Sequence, residues 1–107
     1  MGNNEVLIEN IKGSLENTGE HVWQLPLWDE YCDQVKSKVA DVNNLGSPGQ
    51  AGSIAGAAFL KAFVREDIPW VHFDIAGTAS HVENRSYAQK DGASGQVIRL
   101  VLDLLCV

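Results

Sequence analysis

The sequence predicts an α/β chain, and more narrowly a piece of a larger layered structure. Three observations lead there. Apolar residues recur at helical intervals in about four segments. Only one or two short stretches alternate at the period of a strand. One or two strands cannot satisfy their own backbone groups, since each needs a partner across a ladder. At 107 residues the chain is at most one small domain, with about two-thirds of its unfolded surface to bury in one core.

The first helix is predicted over Asn4–Asn17. Asn4 suits an N-cap because its side chain accepts from the free amides of the first turn. Leu7, Ile11 and Leu15, with Ile8 beside them, make one apolar stripe. Thr18-Gly19 ends it, with Gly19 free to take positive φ. In "HVWQLPLW", Pro26 denies a central-strand role and leaves a short extended piece or loop. Asp29 is expected to cap a second, shorter helix through Val35.

The stretch "KSKVADVNNLGSPGQAG" is punctuated by Asn, Gly and Pro and reads as a loop with a short strand at its front. A third helix is predicted from Ala51 to about Val64, with Ala55, Ala58, Phe59, Ala62 and Phe63 on one side. Gly52, Gly56 and Ala57 are small enough for close backbone approach there. In "PWVHFDIAGTAS", Val71, Phe73 and Ile75 alternate with His72, Asp74 and Ala76, which predicts a strand ending in small residues. The polar connection "SHVENRSYAQKDGASG" follows. Ser94 is expected to cap the last helix, whose stripe is Val97, Leu100, Val101, Leu104 and Leu105.

Candidate chemistry is sparse. His21, His72 and His81 form no HExxH and no helical pairing with a carboxylate, so their spacing imposes no metal site. "GSPGQAGS" precedes a helix and offers free amides to an anion, yet it has neither the GK[ST] ending of a phosphate loop nor GxGxxG. A tight turn that lets the helix pack closely accounts for it. Asp29, Glu30 and Asp33 sit at a helix start, where the dipole favours negative charge. On a strand, His72 and Asp74 would point the same way, roughly 7 Å apart. Without a nucleophile or a GxSxG elbow they make no catalytic set, and Asp74 reads as a structural group beside a turn.

The formal charge of −6 and the scattered basic residues exclude nucleic acid and anionic membranes as main partners. No apolar run approaches the roughly 20 residues of a membrane span. "MGNNEVLIEN" lacks the basic start and apolar middle of a signal peptide, and Val6 stands where a myristoylation signal needs Ser or Thr. Cys32 and Cys106 imply neither a disulfide framework nor a metal cage and read as reduced thiols of a cytosolic protein.

Several segments, in order, resemble the C-terminal part of the leucyl aminopeptidases, or cytosol aminopeptidases: "NNEVLIENIKGSLENTGEHVWQLPLWDEY", "ADVNNLG", "AGSIAGAAFLKAFV", "PWVHFDIAGTA" and "DGASGQVIRLVLDLL". "ADVNNLG" and "HFDIAGTA" are the most specific, and the likeness covers nearly the whole chain. It implies part of an α/β/α sandwich, helices packed on part of a mixed sheet. It also implies an enzyme that releases N-terminal, leucine-like residues from peptides, with two divalent ions, zinc or manganese, and a hexameric assembly. The family's metal-ligand segments, a Lys and Asp followed by "DSGG", and "NTDAEGR", do not occur here. Residues 1–107 are therefore expected to be the C-terminal portion of the catalytic domain, with no metal ligand, no catalytic residue and no activity alone.

The likeness leaves a wall of the substrate pocket. Ala76 corresponds to the alanine lining the pocket for the substrate's N-terminal side chain, and Gly77 and Thr78 turn the backbone at its edge. "LGSPGQAGS" departs from a basic version of that loop, and "GASG" stands where "GATG" or "GMTG" is usual. Two further readings compete with the enzyme fragment. One is a non-catalytic structural or oligomerising remnant; the other is a small autonomous binding protein, which the unpaired strand opposes.

Overall fold

Asn4 starts the first helix by accepting the Leu7 amide on its Oδ1 at 2.9 Å, as its position predicts. In the computed structural model, which describes residues 1–83, 86 and 90–106, that helix is α1 (Glu5–Thr18). It ends at Gly19, whose φ of 65° is the left-handed turn foreseen for it. The other elements are α2 (Asp29–Gln34), α3 (Gly52–Lys61) and α4 (Ile98–Leu105). Among the described residues, β structure is limited to isolated bridges. The polar connection over 80–95 lies partly outside the described residues.

The chain divides into two units. The first comprises Met1–Leu7 and Trp23–Phe73. Its centre is the packing of α2 on α3. Val35, Ala55 and Ala58 are buried there, with Leu27, Tyr31, Cys32 and Phe59 partly buried against them. Alanines on α3 keep that face flat enough for a neighbouring helix to come close. The close approach occurs at a different glycine from those expected. A Cβ on Gly52 or Gly56 would meet open space, whereas one on Gly46 would lie 2.6 Å from Ala55 Cβ. The loop 36–51 is thus pinned at Gly46, and its front forms one antiparallel bridge, Lys36 to Val42.

Two boundaries differ from expectation. The cap of α2 is Trp28, not Asp29, because the backbone is already helical at Asp29. Asp29 and Glu30 instead occupy the first turn, where the dipole favours them. Helix α3 stops at Lys61, and Ala62, Phe63 and Val64 close i→i−3 bonds onto Phe59, Leu60 and Lys61, tightening the last turn.

The strand predicted over 71–76 is not formed. A single antiparallel bridge joins Gly2 and Val71. It is flanked by Asn3 N–H to Trp70 O at 3.1 Å and His72 N–H to Met1 O at 2.8 Å. The Asn3 side chain strengthens this edge, donating to Ile68 O and accepting from Trp70 N–H at 2.7 Å. A ladder needs partners on successive residues, and among the described residues none reaches the Phe73 backbone.

The second unit comprises Ile8–Val22 and Asp74–Val107. Ile8, Ile11 and Ser14 of α1 are buried, with Leu15 half-buried. Of the α4 stripe, Leu100 is 0% exposed and Val97 is buried, while Val101 and Leu105 face solvent. Ser94 does not cap α4: the cap is Val97, in the left-handed region at φ 73°. The unit also holds a buried polar cluster of Glu20, Ser94 and Gln96. Arg99 Nε lies 3.5 Å from Glu20 Oε1.

Two substitutions test these contacts. Asn4→Ala removes the acceptor for the Leu7 amide, and a loss of about 1 kcal/mol is expected in urea unfolding followed by circular dichroism. Gly46→Ala drives a methyl into Ala55, and about 1–3 kcal/mol is expected to be lost in the same measurement. Gly52→Ala, with open space around it, is the control.

Candidate functional site

Asp74 Oδ1 accepts the Ala76 N–H at 3.3 Å, which starts a turn two residues on, as short carboxylates do. Ile75 O then accepts the Thr78 N–H at 2.9 Å and the Thr78 hydroxyl at 3.3 Å. Asp74 is thus a turn-forming group. Ala76 and Gly77 are exposed on that turn and Thr78 is half-buried. A Cβ on Gly77 would meet no atom within 4 Å. The two residues present a small, open surface beside a fixed backbone.

The turn is held from behind. Ser94 Oγ donates to Thr78 O, and Ser94 N–H donates to Ala79 O at 2.7 Å. A bridge between Ser80 and Ala93 continues the pairing. Sequence reasoning assigned Ser94 to a helix cap and missed this role. Ser94 stands in "GASG", four positions ahead of Ile98, the first residue of α4, and so too far to cap it. Glu20 and Gln96 were also missed, since nothing in a polar stretch marks which members are buried.

The remaining candidates do not form a site. His72 is half-buried with its ring stacked on Trp70, centroids 6.2 Å apart. His21 and His81 are exposed. Asp33 pairs with Lys36 at 2.6 Å on the surface, holding the Lys36 ammonium pKa above its ordinary value through that hydrogen bond. Cys32 and Cys106 are both free thiols. The "GSPGQAGS" loop lines a groove of about 560 Å³ with Asn44, Leu45, Pro48 and Gln50, and no lining residue carries a charge. Among the described residues, no three His, Cys, Asp or Glu side chains converge to hold an ion. The described residues do not fit a dinuclear metal centre. No helix of the described residues is long and apolar enough to cross a membrane.

Residues 1–102 match the pattern of the cytosol aminopeptidase family, catalytic domain. A probable cytosol aminopeptidase of Desulforapulum autotrophicum is 46% identical over 105 residues, covering 98% of this chain and 20% of the relative. One from Geobacter sp. strain M21 is 48% identical over the same share of this chain and 21% of its own length. Among solved structures, a tomato leucine aminopeptidase mutant superposes with a TM-score of 0.82 at 34% identity, over 96% of this chain and 19% of that one. The chain therefore spans about a fifth of the length of the curated relatives it matches, and its helices and isolated bridges form part of their α/β fold. The chain belongs to the cytosol aminopeptidase family, to the catalytic domain of its members.

Proposed function

We propose that residues 1–107 are the C-terminal portion of the catalytic domain of a leucyl aminopeptidase, acting in the cytoplasm on peptides and assembled as a homo-oligomer, a hexamer as in the family. The whole enzyme would release leucine-like N-terminal residues, with two divalent ions, zinc or manganese, supplying an activated water and a polarised carbonyl. This portion contributes a wall of the substrate pocket, with Ala76, Gly77 and Thr78 lining it. The observation that carries the reading is the match of 98% of the chain to cytosol aminopeptidases of which it spans about a fifth. The small side chain of Ala76 and the open space at Gly77 support the pocket assignment, since a leucine-like group needs a concave apolar surface.

The chain alone would not hydrolyse peptides, because the segments "DSGG" and "NTDAEGR" that carry the family's metal ligands do not occur in it. A non-catalytic remnant that associates with full-length subunits is the second reading. The exposed Leu102 and Leu105 of α4 suit a protein partner in either case.

Two measurements decide between outcomes. Purified 107-residue chain is expected to show no hydrolysis of leucine-p-nitroanilide, with or without manganese or zinc; metal-dependent turnover by a folded sample would overturn the fragment reading. In a complete enzyme carrying this segment, Ala76→Phe is expected to lower kcat/KM for leucyl substrates by about 10- to 200-fold relative to alanyl ones. An unchanged leucyl-to-alanyl ratio would remove Ala76 from the pocket.

A further inference from the structure

We propose that Ser94 is a positioning residue for the Ile75–Thr78 turn, acting as the last link of a buried hydrogen-bonded relay from Glu20 through Gln96. The functional consequence rests on the reading of that turn as a pocket wall; the relay itself rests on geometry alone.

The bonds within the turn give it shape but not place. Asp74 to Ala76 and Ile75 to Thr78 are all local, and a turn closed only by its neighbours moves with them. Placement comes from residue 94, whose hydroxyl reaches Thr78 O and whose amide reaches Ala79 O. The same hydroxyl accepts the Gln96 N–H at 3.2 Å. It donates on one side and accepts on the other, which fixes its rotor.

Gln96 continues the chain. Its Nε2 donates to Glu20 Oε2 at 2.7 Å. The Glu20 side chain is 0% exposed and has Arg99 Nε at 3.5 Å. A carboxylate buried this far must keep its partners, since an uncompensated buried charge is strongly unfavourable. Gln96 and Arg99 are thereby held to Glu20, which follows α1, and to the first turn of α4. The backbone bears the mark of this constraint. Gly95 at φ 67° and Val97 at φ 73° flank Gln96 in the left-handed region. A β-branched residue stays there only where its surroundings over-determine it. The relay thus runs from two helices to one turn, and a buried network of this kind responds as a unit.

A pocket wall misplaced by about 1 Å changes how well a side chain fits, so this support sets selectivity rather than chemistry. Ser94 touches no reacting atom.

The test is amide hydrogen exchange by mass spectrometry on a complete enzyme carrying this segment, comparing wild type, Ser94→Ala and Ser94→Thr. Losing the hydroxyl is expected to speed exchange at Ala76 and Thr78, whose amides are bonded within the turn, by about tenfold, with α3 amides unchanged. Threonine, which keeps the hydroxyl, is expected to restore protection. Rates at Ala76 and Thr78 within about twofold of wild type in Ser94→Ala, or no rescue by threonine, would overturn the relay. If Ser94→Ala also opens α4, Ser94→Cys decides, since a thiol keeps the volume and donates only weakly. A rise confined to Ala76 and Thr78 upholds the proposal, and a uniform rise overturns it. In the same enzyme, Ser94→Ala is also expected to change the leucyl-to-alanyl ratio of kcat/KM, and Ser94→Thr to return it. Equal loss for both substrates would mean support of stability alone. Because exchange is read without turnover, failure of the aminopeptidase reading leaves the relay result standing, and failure of the relay leaves the pocket assignment to the Ala76 test.

Discussion

Extended backbone in this chain is short of hydrogen-bonding partners, and that shortage governs much of the rest. Residues 70–72 obtain one edge from residues 1–3, through a bridge so close that Gly2 cannot carry a Cβ: it would lie 2.6 Å from Trp70 O. From Asp74 onward the groups are satisfied within turns, first by the Asp74 carboxylate and then by Ile75 O. The backbone turns because no ladder among the described residues continues it. The segment read as a pocket wall is therefore a turn whose place depends on what lies behind it.

The two units meet their internal needs by different means. In the first, small residues let elements come together: Ala55 and Ala58 face the α2 contact, and Gly46 sits against Ala55. Side-chain polarity plays little part there. In the second, Leu100 is the fully buried large side chain, and Ile8, Ile11 and Val97 share the interior with the polar Ser14, Glu20, Ser94 and Gln96. Glu20, Gln96 and Ser94 do work that apolar side chains do elsewhere, and they do so with directional bonds. Directional bonds fix positions more narrowly than apolar contact.

The exposed surface belongs with this picture. A chain that exposes Val101, Leu102 and Leu105 on one helix and Phe63 after another has apolar surface left over. With a core this small, burial within the chain is thin against the entropy of ordering it. That balance supports reading the chain as one portion of a larger catalytic domain, of which the curated relatives are about five times the length.

Local chemistry was legible in the sequence where it acts over a few residues. Asn4 capped α1, Gly19 ended it, and the helical periodicities located α1 and α3. The family, too, was legible, because "ADVNNLG" and "HFDIAGTA" are specific in combination. Tertiary structure decided the rest. Alternation over 71–76 records what a strand needs, but pairing depends on a neighbour the described residues do not supply. Ser94 carries the residue type of a cap, yet its hydroxyl goes to Thr78 O, a partner 16 positions away. Glu20 reads as one more surface acid, and only the approach of Gln96 and Arg99 makes it an interior anchor. Propensity is set by a residue and its near neighbours, whereas the partner of a polar group is set by which distant segment the fold brings within hydrogen-bond reach.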